Sequence, residues 1–317
     1  MHLLVPFAAD DSEDCRNVLR DQALPNLERL LALLAAAGRD DGDSATLSPP
    51  HERALAAAWG WQGGDGLLPF AAHAAAADGI ATTTLAWALL TPSHLQLGRD
   101  DVTLLDPALL ALDEAESRAL FASVAELFAS EGFAIAWGNP ERWYAARDDL
   151  QGLATPSLDR VIGRGVDRWL RASDHDGGGA RREALALVRR LQSEAQLVFH
   201  VHEVNERREE RGALVVNSIW LSGCGRSQPT DTAAGPEIAS SLRAPLLVGD
   251  WAAWAEAWRA LDTGAIARLL ADARAGRATT LTLCGARSAA RFELQPRSLW
   301  QRLRAPRGAA PDVLASL

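Results

Sequence analysis

Between His200 and Arg226 the chain reads HVHEVNERREERGALVVNSIWLSGCGR, gathering His200, His202, Asn205, Arg207, Arg208, Arg211, Asn217, Gly223, Gly225 and Arg226. Guanidinium forks match the oxygens of phosphate and carboxylate, and glycines let a ligand approach the backbone. That chemistry is oxyanion binding. The competing assignment pairs Arg207, Arg208 and Arg211 with Glu203, Glu206, Glu209 and Glu210 along a solvated helix. His200 and His202 would share one face of a strand, and as a metal pair they lack a third ligand. A buried or hydrogen-bonded role is expected for them, and no metal site. Cys224 lies between two glycines, either as a reactive thiol or, more commonly for a lone cysteine, as a small buried residue.

The elements that must position these groups follow from local pattern. Glu194–Arg211 has helical composition and Gly212 supplies a left-handed stop. Val215–Leu221 reads as a short buried strand, and Gly223-Cys224-Gly225 as a tight turn.

The same stretch resembles the motif His-Pro-Val/Ile-Asn-x-x-Arg, a Gly, then Ala-Asn-x-Ile-Trp-Leu-Trp-Gly-x-Gly of archaeal-type cofactor-independent phosphoglycerate mutases. His202, Asn205, Arg208, Gly212, Asn217, Ile219, Trp220, Leu221, Gly223 and Gly225 stand in matching places, with Glu203 for the Pro and Ser222 for the second Trp. Leu24-Pro25-Asn26-Leu27-Glu28-Arg29-Leu30 resembles Thr-Pro-Asn-Leu-Asp-x-Leu of the alkaline-phosphatase-like superfamily; locally, it is also a helix with proline in its first turn. Over nearly its whole length the chain is similar to RpfE-type regulatory or mutase-like proteins of bacteria.

The resemblance implies an α/β fold: a truncated alkaline-phosphatase-like sheet flanked by helices, built from residues 1–86 and 190–317, with an inserted α+β subdomain over 87–189. The arginines, asparagines and glycines of this stretch make His202, Asn205, Arg208, Arg211, Asn217, Gly223, Gly225 and Arg226 the candidate ligand-binding set. The resemblance also shows what is missing. Setting Trp59-Gly60-Trp61 on the family's Leu-Gly-Tyr puts the nucleophilic serine at His51, beside Glu52, and Ser48 lies three residues too early. The first-strand aspartate is replaced by Val5-Pro6-Phe7-Ala8, and Leu281–Arg291 has no histidine or carboxylate where the family carries His-x-x-x-x-Asp-x-x-x-His. Two-metal phosphoryl transfer needs such ligands to hold ions about 4 Å apart. A non-catalytic regulatory protein that needs no cofactor is therefore expected. The rival is a metal-dependent mutase or phosphohydrolase rebuilt around His51, Glu52, His200 and His202.

Net charge −9 and pI near 5.3 argue against a nucleic-acid surface. The chain has no lysine, which removes Schiff-base chemistry and a P-loop. No apolar run is long enough to cross a membrane, and the start, MHLLVPFAADDSED, turns acidic too early for a secretory leader, so a cytoplasmic location is expected. Expected partners are a phosphate or carboxylate metabolite, or a protein met through a tryptophan surface. Trp251, Trp254 and Trp258 fall on one helix face, suited to core or to an interface or self-association.

Elsewhere, Leu3–Phe7 reads as a central strand and Ser12–Arg20 as a helix. Gly38–Ser48 reads as a polar connector, and Leu95–Leu105 as a hairpin. Asp113 begins a capping box on a long helix ended by Gly132, followed by strands over Phe133–Trp137 and Arg142–Ala146. Leu158–Leu170 reads as a helix or loop-helix with a solvated arginine face, Ser173–Gly179 as an exposed linker, Ala244–Val248 as a strand, Asp262–Ala273 as helix and Thr279–Leu283 as a buried strand.

Overall fold

A computed structural model describes residues 1–82, 84–99, 101–172, 179–230, 235–295 and 310–317. The expected linker at 173–178 lies outside them. The chain divides into two units: Met1–Ser44, Pro49–Trp61 and Thr230–Leu317 form one, Ala45–Ser48 and Gln62–Pro229 the other. Both are mixed α/β, and the first holds a mixed sheet flanked by helices.

The first unit contains β1 (His2–Val5), α1 (Glu13–Asp21), α2 (Pro25–Leu33), β2 (Ala35–Asp41) and α3 (Pro50–Ala58). After the second unit it resumes with β9 (Glu237–Ile238), α10 (Arg243–Leu247), α11 (Trp251–Leu261), α12 (Ala267–Arg274), β10 (Thr280–Cys284), β11 (Ser288–Glu293) and α13 (Ala310–Ala315). Its sheet runs β2-β11-β10-β1-β9, with β1 parallel to β10 and β9, and β11 antiparallel to both neighbours. Alternation along β1 explains the layering. Leu3 and Val5 enter the core formed with α1, α2, α11 and α12, while Leu4 joins Cys284 and Ala289 on the opposite face against α3. Apolar residues with no polar alternation suit a strand covered on both sides.

Several sequence expectations change here. The connector over Gly38–Ser48 begins as part of β2, whose residues after Ala35 are all exposed. A polar strand without alternation carries no local signal; pairing with β11 alone makes it a strand. Ala244–Val248 is helical as α10, not a strand, and none of its helical residues is buried, so it could not serve as a central strand. Trp254 and Trp258 take the core alternative, fully buried with Ile266 and Leu269. They are therefore not an exposed docking face.

The second unit contains α4 (Phe70–Ala77), β3 (Trp87–Ser93), β4 (Leu95–Leu97), β5 (Val102–Leu104), α5 (Glu114–Ser130), β6 (Ala134–Asn139) and β7 (Arg142–Ala146). It continues with α6 (Leu158–Val161), α7 (Asp167–Ala172), α8 (Gly179–His200), α9 (Glu203–Glu210) and β8 (Ser218–Gly225). Its antiparallel sheet runs β6-β7-β3-β8, beside the hairpin β4-β5. Leu90, Trp143, Ala145 and Ile219 pack beneath α5 and α8, while Trp87, Tyr144 and Ala146 face α4. Asp113 caps α5 at the Glu116 amide, and Gly132 follows it at φ 81°. Because β8 pairs with β3, from Trp87 with Gly225 to Ser93 with Ser218, residues 190–229 belong with this sheet. The two units meet along the chain at 44/45, 48/49, 61/62 and 229/230. Arg160 is buried and donates to the Thr46 carbonyl and hydroxyl, so it does not join a solvated arginine face. Among the described residues no helix is long and apolar enough to cross a membrane.

His2 gives a pH prediction for the first unit. Its Nε2 lies 2.9 Å from the Thr282 hydroxyl, and burial, then the Arg291 charge, holds the imidazole down at about 4. An unfolded histidine takes a proton near pH 6.5 that the folded one refuses, so stability falls as pH drops from about 6.5 toward about 4 and is flat above. Discounted for partial exposure, the loss is about 1–2 kcal/mol. Urea unfolding between pH 7.5 and 4.5 should show a shallower decline for His2→Gln than for the parent chain. Equal slopes would remove His2 as a cause.

Candidate functional site

The His200–Arg226 stretch is an interlocked joint within the second unit. α8 ends at His200, an exposed helical residue, and His202 caps α9, its Nδ1 accepting from the Val204 amide at 3.2 Å. The two histidines therefore do not share a strand face, because Val201 and His202 form the break between helices. Asn205 is 4% exposed. Its Nδ2 donates to Phe199 O (2.8 Å) and Val216 O (2.7 Å), and its Oδ1 accepts from Val216 N (3.0 Å). Asn217 brackets Leu95 in the same manner, accepting from its amide at 2.7 Å and donating to its carbonyl at 2.9 Å.

Arg208 is 1% exposed. Its Nε donates to Leu214 O at 2.7 Å, and its two terminal nitrogens reach Leu110 O and the Glu116 carboxylate. Glu116, on the first turn of α5, also accepts from Arg211, whose side chain is half exposed. Arg207 takes the solvated alternative, pairing with Glu203 one helical turn away.

Gly223-Cys224-Gly225 is the end of β8 rather than a turn. Both glycines have positive φ, and a Cβ on Gly223 would stand 2.8 Å from the Ala71 amide nitrogen of α4. Their lack of side chains serves helix-to-strand packing. Cys224 is buried, which pushes its thiol up to about 12, so thiolate chemistry at neutral pH is suppressed.

Directly after β8, Arg226 opens onto a cleft of about 730 Å³ lined by Thr82, Thr84, Asp148, Arg226 and Ser227. The cleft lies where β7 and β8 end and β3 begins. Gln151 Oε1 accepts from the Arg226 amide at 2.9 Å, Arg226 Nε donates to Thr84 O at 2.8 Å, and Nη2 meets Asp148 Oδ1 at 2.8 Å. The sequence nominated Arg226 alone. Its partners lie far away along the chain, and isolated threonines and an aspartate carry no motif.

In the first unit, the carboxyl ends of the parallel neighbours β1 and β10 are where an open α/β sheet would hold a ligand. Phe7 leaves β1 at φ 56° and its ring contacts His51 on the first turn of α3, with centroids 4.9 Å apart. Glu52 follows His51 on that turn. Arg53 meets Asp40 at 2.7 Å, and Arg287 meets Asp11 at 3.1 Å. Past β10, Gly285 and Ser288 make a reverse turn, and the Ser288 amide donates to Leu317 O at 2.9 Å. Ser48 belongs to the second unit; it is buried, with its hydroxyl accepting from the Gly66 amide. Of the rebuilt set, His51 and Glu52 fall in the first unit and His200 and His202 in the second. Among the described residues no group of three or more His, Cys, Asp or Glu is arranged to hold a metal ion. Phe7, Cys284 and Ala286, which follow β1 and end or follow β10, are not hard-cation ligands.

No family model matches the chain, and no curated protein matches it. Among solved structures, the chain is similar to a cofactor-independent phosphoglycerate mutase from Thermoplasma acidophilum, with 12% identity over 99% of this chain and 98% of that one, at a TM-score of 0.40. It is also similar to the PH0037 protein from Pyrococcus horikoshii, with 12% identity over 92% of this chain and 87% of that one, at a TM-score of 0.49.

Proposed function

We propose that this protein is a non-catalytic, phosphoglycerate-mutase-like regulatory protein that acts by binding an anionic metabolite or a protein. Its five-stranded sheet is then a truncated alkaline-phosphatase-like sheet, the four-stranded unit is the α+β insertion, and the protein works in the cytoplasm. The observation that carries this reading is the composition of the β1–β10 edge, where Val5-Pro6-Phe7-Ala8 and Cys284-Gly285-Ala286-Arg287 stand in place of hard-metal ligands, with His51 in place of a nucleophilic serine. Phosphoryl transfer through paired ions depends on those groups for nearly all of its rate.

Binding rests on the resemblance-bearing stretch. His202, Asn205, Arg208, Asn217, Gly223 and Gly225 fix the backbone, and the half-exposed Arg211 and Arg226 present guanidinium groups to solvent. The test combines metal analysis of the purified protein with mutase and phosphatase assays in added manganese. No retained metal and no turnover above background are expected. Manganese-dependent turnover would overturn the reading.

A further inference from the structure

We infer that the Arg226 cleft is a binding site for a small oxyanion, a phosphate or carboxylate carried on a hydroxylated body, with Asp148 as the internal anion that the ligand displaces. The inference rests on the binding reading above and gives it a place and a ligand class.

Three features converge. The guanidinium of Arg226 is held from behind: its backbone amide is fixed by Gln151, and its Nε by the Thr84 carbonyl. Its remaining edge faces the cleft, where Nη2 is engaged by Asp148 at 2.8 Å. That pair is exposed on both sides, with 50% of the Arg226 and 68% of the Asp148 side chain open to solvent. Such a pair contributes little and is readily exchanged for another anion. A second oxyanion that can accept from two guanidinium nitrogens competes well with a single exposed carboxylate.

The remaining lining is hydroxylic. Thr82, Thr84 and Ser227 supply groups that both donate and accept. They suit a ligand whose uncharged part is itself hydroxylated better than a purely hydrophobic one. The volume of about 730 Å³ exceeds a bare phosphate and falls within the range of small-molecule clefts, about 300–1,000 Å³. Asp148 gives selectivity as well as competition. A cation would be drawn to it but repelled by Arg226, whereas an anion gains Arg226 once Asp148 swings away into solvent.

The experiment is calorimetric titration of the full chain with inorganic phosphate, and separately with acetate, at constant ionic strength, with glycerol as the uncharged control. Phosphate or acetate should bind saturably, the better of the two identifying the charged head, while glycerol alone should not. Arg226→Ala should weaken binding by about ten-fold or more. Asp148→Asn should tighten it by about two- to five-fold, since the competing carboxylate is gone. Both positions are solvent-exposed, so circular dichroism and thermal melting should be unchanged. An Asp148→Asn variant that binds more weakly, an Arg226→Ala variant that binds as the parent does, or no saturable binding by either anion would overturn the assignment. Anion binding that ignores Arg226 would sink this site and leave the regulatory reading intact. Binding that needs Arg226 in a chain that also turns over with manganese would do the reverse.

Discussion

Arg208→Ala should lower the unfolding free energy by about 3–5 kcal/mol, the loss that follows when one partner of a buried ion pair is removed. The guanidinium is 1% exposed and joins four pieces of chain: α9 itself, the Leu214 carbonyl before β8, the Leu110 carbonyl, and Glu116 on α5. Alanine leaves two carbonyls without their donor and Glu116 paired with the exposed Arg211. Arg208→Lys should recover only part of the loss, because an ammonium cannot reach three acceptors in one plane. Arg207→Ala supplies the contrast. That side chain is exposed and paired to Glu203 at 3.2 Å, so its loss should stay within about 0.5 kcal/mol. Urea denaturation of the three variants checks all of this. A loss under about 1 kcal/mol for Arg208→Ala would show that the four-way contact does not hold in solution. A Glu116→Gln, Arg208→Ala double variant should lose less than the two single losses added together, since both remove the same bond.

Arg207 and Arg208 also mark the limit of what the sequence carries. Both sit in a run of alternating charges, and composition assigns them alike to a solvated helix. Which one turns inward depends on α5, far away along the chain. Features with local causes were legible: the Asp113 cap and Gly132 stop of α5, the inward spacing of Trp254 and Trp258, and the apolar run of β1. Features with distant causes were not. β2 is polar and exposed and exists through its pairing with β11, whose own residues carry no strand pattern by themselves. The apolar run at Ala244–Val248 reads as a strand, but five residues are too few for pattern to separate strand from helix, and Arg243–Leu247 is helical. The glycines of β8 signal close approach, as expected, but what approaches is the α4 backbone. At the cleft, Arg226 stands out within the arginine- and glycine-rich stretch, while Thr82, Thr84, Asp148 and Ser227 have no pattern to announce them.

The second large effect lies in the first unit, where α2 begins without a local side-chain cap. The cap comes from Asp262, at the end of α11 and 2% exposed. Its Oδ1 accepts from the Leu27 amide at 2.7 Å, and its Oδ2 from the Asn26 amide at 3.2 Å and Nδ2 at 3.3 Å. Asn26 Nδ2 also reaches the Asp262 carbonyl at 3.1 Å. A carboxylate at a helix N-terminus gains from the dipole as well as from the bonds. These contacts give Pro25-Asn26-Leu27 a local physical meaning, whatever its ancestry. Pro25 stands where no amide is needed, Asn26 grips Asp262, and Leu27 is fully buried. Asp262→Ala should therefore cost about 3 kcal/mol or more, leaving the buried Leu27 amide and the part-buried Asn26 amide without this acceptor, as expected for lost bonds to a charged group. Asp262→Asn keeps one acceptor but turns an amino group toward donors, and should fall between. Amide exchange at Leu27 should accelerate in step with the urea-measured loss, because that hydrogen is held by Asp262. Unchanged exchange together with a loss under about 1 kcal/mol would mean that α2 is fixed by Leu27 and Leu30 packing rather than by this carboxylate.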